Sequence, residues 1–272
     1  MNLKTAFFAF CALAGYSLAA LEVPAVAVSG SAEVASSYVL YGARFNKEPC
    51  LWSYAEVAIS EPLLGGPALS LWQNTDLAGH RSDVMRRINE WDWTASYRIS
   101  LPLSGDWALA AEAGHIWYCY AGLASAQAKV AYKTMMEVFA RFRLDNPYLV
   151  PHMFVAHDWQ VCGGTFAVGG LKRDFSLPLD LTLTCDLTAG GGDARYLAAL
   201  YPPWGAGSVH SALTYAQLAV RLSYPVSDFF GVHVQLAGTV LADPKIRAAV
   251  DCDPGDLRKQ FVWGTAGFDF SF

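Results

Sequence analysis

Residues 90–101 read EWDWTASYRISL, and their order decides the fold. Trp91, Trp93, Ala95, Tyr97, Ile99 and Leu101 share one parity; Glu90, Asp92, Thr94, Ser96, Arg98 and Ser100 share the other. Successive side chains of a β-strand point to opposite sides. As a strand, the segment has one apolar side and one polar or charged side; a helix would mix the two sets. Three more segments repeat the pattern. In 179–188, Leu179, Leu181, Leu183, Cys185 and Leu187 alternate with Asp180, Thr182, Thr184, Asp186 and Thr188. In 129–144, Val130, Tyr132, Met136, Val138, Phe142 and Leu144 oppose Lys129, Lys133, Glu137, Arg141 and Arg143. In 261–272, Val262, Ala266, Phe268, Phe270 and Phe272 oppose Thr265, Asp269 and Ser271.

Carried along the chain, the alternation predicts twelve strands, near 31–45, 50–60, 67–75, 88–101, 106–119, 128–144, 151–160, 164–177, 179–189, 209–224, 229–242 and 259–272. The composition says where such strands belong. Hydrophobic residues make up 54% and charged residues 16%, against about 25% charged in ordinary soluble domains. Beyond the N-terminus no apolar run approaches the roughly 18 residues of a transmembrane helix. A chain this apolar, without such a helix, must show its surplus to lipid as strands. Only helices and closed barrels satisfy every backbone polar group there. The expected fold is all-β, a transmembrane antiparallel up-and-down barrel. A soluble β-sandwich is the rival architecture.

The N-terminus carries Lys4 and then the apolar run 5–18, TAFFAFCALAGYSL, followed by small residues. That run is shorter than the roughly 20 residues of a spanning helix. It reads as a Sec signal peptide over residues 1–20, cleaved near Ala19 or Ala20. The barrel domain is then 21–272. A second small-x-small option lies at Ala25-Val26-Ala27, and Cys11 has no lipobox around it. The net charge is −5 and the charges are scattered, so nothing supports nucleic-acid binding.

The connections alternate in length. Short links fall near 103–106, 177–179 and 225–228; longer ones occupy 76–87, 190–208 and 243–258, and Gly190-Gly191-Gly192 reads as part of a loop. Short turns at one end and long loops at the other is the plan of outer-membrane barrels, with an even strand number placing both chain ends on the periplasmic, short-turn side. Trp91, Trp93, Trp107, Trp117, Tyr118, Tyr224, Phe229, Phe230, Phe268, Phe270 and Phe272 lie near the strand ends, as interfacial aromatic girdles do. A C-terminal Phe with aromatics at alternate positions resembles the end of many outer-membrane proteins. There it is read by the barrel-assembly machinery, which Phe272 would engage.

A family resemblance adds to this. Segment 32–45, AEVASSYVLYGARF, is similar to the first strand of the TorF family of porins, which opens with a Ser-Tyr-Val and an aromatic-x-Gly element. Ser37-Tyr38-Val39 and Tyr41-Gly42 match, without the Arg that usually precedes that glycine. Asn89-Glu90-Trp91-Asp92 through Tyr97 resembles the family's acidic strand. Glu137-Val138-Phe139 through Pro151, with Asp158-Trp159, resembles its middle section. The resemblance implies an outer-membrane pore and says little about the solute.

Charges on a lipid face cost about 2–4 kcal/mol each at the midplane, so they are expected inside. The expected pore lining is Glu90, Asp92, Arg98, Glu112, Lys129, Lys133, Glu137, Arg141, Arg143, Asp180, Asp186 and Arg221, with Glu33, Glu56 and Asp269 on the same face. Two readings stay open. Opposed acidic and basic rows on the 128–144, 88–101 and 179–189 strands could set a transverse field with weak ion selectivity. The same residues could instead pair into salt bridges that fill a narrow barrel. If the 190–208 loop folds inward, Tyr201 and Trp204 are the natural constriction. Six cysteines are present; Cys11 leaves with the signal, and Cys119 and Cys162 could join neighbouring outer loops. A rim hydrolase is the remaining class. His80, His115, His152, His157, His210 and His233 are candidate bases, and Asp76, His80, Asp83 and Asp158 a candidate rim cluster, but none lies in a phospholipase-like Ser/His/Asn motif. The function expected is a channel for small hydrophilic solutes or ions, with no cofactor or metal and contact with outer-membrane lipid. The alternative is an occluded barrel acting through its outer loops.

Overall fold

A computed structural model describes residues 25–46, 48–60, 65–77, 88–119, 134–200, 210–251 and 259–272. The chain forms β1 (Ala25–Ala35), β2 (Tyr38–Leu40), β3 (Ala43–Asn46), β4 (Cys50–Ser60), β5 (Gly66–Asp76), β6 (Ile88–Pro102) and β7 (Ala108–Cys119). Then come β8 (Thr134–Asp145), β9 (Val150–Asp158), β10 (Gly164–Ser176) and β11 (Thr182–Gly192), followed by helix α1 (Ala194–Leu200). β12 (Ala212–Ser227), β13 (Phe230–Leu241), helix α2 (Pro244–Asp251) and β14 (Gln260–Ser271) complete it.

All strands except β2 and β3 close into one antiparallel barrel of twelve, each paired with its neighbour in sequence, and β1 pairing with both β4 and β14. Closure leaves no unpaired edge. The seam is tight: Val28 and Phe272 exchange backbone hydrogen bonds of 3.0 and 2.8 Å. At the end that holds both β1's start and β14's finish, the turns are short. Leu103 donates to the Trp107 carbonyl and Leu177 to the Leu181 carbonyl, both at 2.8 Å. Asn146 Oδ1 accepts from the Tyr148 and Leu149 amides at 2.9 Å.

Eleven of the twelve strands lie close to where the alternation places them. The first does not. The expected strand 31–45 is broken: β1 starts at Ala25 and ends at Ala35, and residues 38–46 leave the wall as a separate hairpin. Two more corrections concern β11. Its glycine run is strand, not loop, because the Tyr215 ring lies over Gly190, where any Cβ would stand 2.5 Å from the ring. Asp180 lies in the turn before β11, with φ near +59°, and is not part of the wall. The signal segment 1–20 and residues 128–133 lie outside the described residues.

Parity sorts the wall as the sequence predicts. Val57, Leu69, Trp93, Tyr97, Val138, Phe142, Leu171, Leu187, Leu218, Leu236 and Val262 point outward and are exposed. So broad an apolar belt is covered only by lipid. Near the short-turn end Trp107, Tyr148, Tyr224, Phe229, Phe230, Phe268 and Phe272 form a girdle, with the Phe229 and Phe272 rings stacked at 5.9 Å. Arg173, an outward cation, lies at this rim, bonded to the Tyr148 carbonyl at 2.8 Å and placed over Phe175. Tyr118, predicted for a girdle, turns inward and is buried.

This sorting yields a paired prediction. Leu236, mid-β13, is 62% exposed on the outer face, while its neighbour Gln235 faces the interior. Leu236→Arg is expected to cost about 2–4 kcal/mol and Gln235→Arg less than about 1 kcal/mol. Reversible urea unfolding in phospholipid vesicles measures both. Equal losses would contradict the assignment of faces.

Candidate functional site

The interior face is fixed by contacts that skip a strand. Arg98 on β6 holds Glu56 on β4 through two nitrogens at 2.6 Å, passing over β5. Its Nε lies 3.1 Å from Glu112 on β7, whose other oxygen is 3.3 Å from Arg141 on β8. The Tyr54 hydroxyl also donates to Glu56. Arg141 then lies over the rings of Phe139 and Phe154, at 5.0 and 5.2 Å. The result is a ladder Glu56–Arg98–Glu112–Arg141 running around the wall. A second cluster occupies the seam: Arg221, His233, Asp269 and Glu33, from β12, β13, β14 and β1. His152 and Asp186 meet at 2.9 Å over Gly170 between them, where a Cβ would strike the imidazole.

Among the described residues the charges pair along the wall, between strands that are neighbours or one apart. Adjacent strands place complementary side chains in direct register, Arg98 with Glu112 and Glu112 with Arg141, and a near partner wins over a distant one. Yet toward the short-turn end these groups remain wet. Arg141, Arg143 and Asp174 are half exposed or more on the inner face.

The long-loop end is filled instead, and by a segment the alternation does not single out. β2 and β3 form a hairpin whose two turn residues, Tyr41 and Gly42, both have positive φ, 48° and 78°. That is the type I′ geometry of two-residue hairpins. The hairpin crosses the barrel. The Tyr38 hydroxyl donates to Glu90 on β6 and its ring lies 6.0 Å from Trp72 on β5. Val39 packs on Ala237, Phe261 and Trp263 of β13 and β14. Tyr41, at the tip, reaches the far wall: its ring is 4.6 Å from Phe166 and 6.3 Å from Phe154, and its hydroxyl 3.2 Å from that of Tyr118. Gly42 abuts Tyr215, where a Cβ would stand 2.3 Å from the ring.

Two loop helices fold onto the same mouth. Asp193 caps α1, accepting from the Arg195 and Tyr196 amides; Asp243 caps α2, accepting from those of Lys245 and Ile246. Leu197 and Ile246 are fully buried with Phe166, Tyr215 and Leu241. Buried Glu137 accepts from Tyr196 at 2.6 Å and Tyr118 at 2.8 Å, and Tyr118 in turn meets Tyr41. Of the expected 190–208 loop only residues 193–200 are described beyond the strand, and there Tyr196 and Leu197 turn into the mouth; Tyr201 and Trp204 lie outside the described residues.

Of the predicted lining, Glu90, Asp92, Arg98, Glu112, Glu137, Arg141, Arg143, Asp186 and Arg221 are on the inner face, Glu90, Asp92 and Glu137 in the filled end and the others below. Asp180 is not, and Lys129 and Lys133 lie outside the described residues. Cys119 and Cys162 are both free thiols. β8 and β9 lie between the strand that ends in Cys119 and the loop that holds Cys162, and Cys162 is turned into the Phe166–Tyr196 core. Burial and the neighbouring Asp158 push the Cys162 thiol up to about 12. His157 and Asp158 point to opposite sides. His157 bonds Thr165 at 3.0 Å, while Asp158 accepts from the Gln160, Val161 and Cys162 amides and holds the loop between β9 and β10. His80 and Asp83 of the suggested rim cluster lie outside the described residues.

The sequence matches no protein-family model and no curated protein. In three dimensions it is similar to an outer membrane channel from Pseudomonas putida F1, at 10% identity and TM-score 0.51, over 93% of this chain and 97% of that one. It is also similar to the Salmonella typhi outer membrane phospholipase, at 10% identity and TM-score 0.48, over 91% of each chain. A third likeness is to the NanC porin, at 13% identity and TM-score 0.47, over 90% and 99%. At these identities the likeness is one of fold.

Proposed function

We propose that this barrel is a porin-like channel of a bacterial outer membrane, passing small hydrophilic solutes or ions, with its extracellular mouth closed in this conformation by the β2–β3 hairpin. The observation that carries the reading is the contrast between the two halves of the interior. The short-turn half is lined with hydrated charges of both signs. The long-loop half is filled by a hairpin that forms its own two-stranded sheet and meets the wall through side chains such as Tyr38, Val39 and Tyr41. A structural lock would be built into the wall itself; a separate hairpin can leave. Paired charges of both signs give the vestibule little net field, which suits weak selectivity and does not suit a channel for polyanions.

The segments that resemble the TorF family support membership of it. Tyr38, Tyr41-Gly42, Glu90, Glu137 and Asp158 are scattered in sequence yet gather at the closed mouth. With that membership go export by the Sec pathway after cleavage near residue 20 and assembly through Phe272. A second reading has its own observation: the filled mouth suits an occluded barrel that acts through its outer loops. Single-channel recording of the refolded mature chain in planar bilayers decides between them. Steps that scale with salt, even at low open probability, support the channel. A folded barrel silent at all voltages supports the occluded form.

A further inference from the structure

We propose that the seam between the first and last strands carries a zinc-binding site, formed by His233 Nε2 and Glu33 and supported by Asp269. In the barrel register His233 on β13 and Glu33 on β1 are both paired with Gly267 on the intervening β14. The glycine is what lets them meet. A Cβ at Gly267 would stand 2.2 Å from the Ala32 carbonyl oxygen and 2.8 Å from Glu33 Cγ.

The imidazole of His233 is fully buried, and its two nitrogens are treated differently. Nδ1 lies 2.8 Å from Asp269 Oδ2, which Arg221 anchors at 2.7 Å; Arg221 also lies 2.9 Å from Nδ1. Nε2 faces Glu33 Oε1 at 3.4 Å and has no hydrogen-bond partner. A charge-assisted N–H···O bond closes to about 2.7–2.9 Å, as the other contacts of this cluster do. Two ligand atoms about 2.0–2.1 Å from a tetrahedral zinc ion stand about 3.3–3.4 Å apart. The slot therefore has the width of an ion and not of a hydrogen bond.

The carboxylate on Nδ1 strengthens the case. With Arg221 donating to Asp269, its shorter contact, Nδ1–H donates to the same carboxylate, which fixes the tautomer and leaves the Nε2 lone pair for a metal. One ligand atom from each of Glu33, His233 and Asp269 lies within 4.8 Å of the others. Glu33 and Asp269 against Arg221 leave one excess negative charge when His233 is neutral, which favours a divalent cation. Lumen water completes the shell beside partly accessible Glu33. An imidazole nitrogen with a carboxylate suits zinc better than magnesium or calcium, which take oxygen cages. The ion would tie the first barrel strand to the last two where the cylinder closes, and so stabilise it by mass action.

The test is calorimetric titration of the refolded, tag-free mature chain in detergent micelles with zinc chloride after removal of trace metal, paired with thermal unfolding. The expected result is about one equivalent bound and a raised unfolding temperature. His233→Gln and Glu33→Gln should each abolish both effects. Asp269→Asn should weaken binding about 10- to 100-fold. His152→Gln, which alters the other lumen histidine–carboxylate pair, should change nothing. Glu33→Gln keeps the site's shape should the histidine variant fail to fold. Absence of stoichiometric binding by the wild type, or binding that survives Glu33→Gln, overturns the proposal.

Discussion

Replacing residues 38–46 with a short Gly-Ser linker is expected to turn rare, brief openings into sustained conductance. The segment belongs to neither neighbour in the wall: β1 and β4 pair along their whole lengths without it, from Ala25 opposite Ser60 to Ala35 opposite Cys50. Its removal should leave the barrel folded, which heat-modifiable electrophoresis will show. What holds the hairpin down is the Tyr41 ring against Phe166 and Phe154, the Tyr38–Glu90 bond and the packing of Val39. Against these stands the positive φ of Tyr41, unfavourable for a residue with a side chain. Losing the partly buried Tyr41 ring should cost about 2–3 kcal/mol. Tyr41→Ala should therefore shift the open-to-closed ratio about 30- to 150-fold toward open. Gly42→Val should act in the same direction, since it combines an unfavourable φ with a Cβ placed 2.3 Å from the Tyr215 ring. If all three variants conduct as the wild type does, the hairpin is not the barrier.

Arg98→Ala is expected to have the second largest effect, on stability and on ion preference together. Among the described residues Arg98 is the cation that bridges Glu56 and Glu112. Without it, Glu56, which is 9% exposed, keeps only the Tyr54 hydroxyl among its described partners. Breaking a fully buried pair costs about 3–5 kcal/mol. Arg98 is itself more than a third exposed, so solvent screening brings the expected loss to about 2 kcal/mol. With Glu56 left without a cation and Glu112 held by Arg141 alone, the vestibule would also attract cations. Reversal potentials under a potassium chloride gradient should move toward the potassium limit, while chemical unfolding reports the stability loss. Arg98→Lys should fall between, because an ammonium cannot hold Glu56 through two nitrogens and still reach Glu112. An unchanged reversal potential would place these charges outside the ion path.

Most of the barrel is legible in the sequence because its signal is local. Whether Arg98 faces in and Tyr97 out depends only on parity within one strand, and the need to hide apolar side chains from water and charges from lipid imposes that parity repeatedly. The closed mouth is not legible in the same way. Segment 38–46 alternates and has strand-forming residues, so it reads as a continuation of β1. Nothing local says that Tyr41 would leave its own wall for Phe154 and Phe166. The Tyr41-Gly42 pair was the available clue, since a glycine between two short strands marks a tight hairpin turn.

The sequence by itself thus determined the period, the number of strands, the faces and the alternation of short turns with long loops, because each follows from interactions among residues close along the chain. Tertiary structure alone decided which charges pair, that Gly267 lets His233 meet Glu33, and that a hairpin from the first loop lies across the lumen. Those outcomes depend on which strands closure brings together, and closure joins residue 28 to residue 272. Contacts of that span leave no mark in the local pattern of either partner.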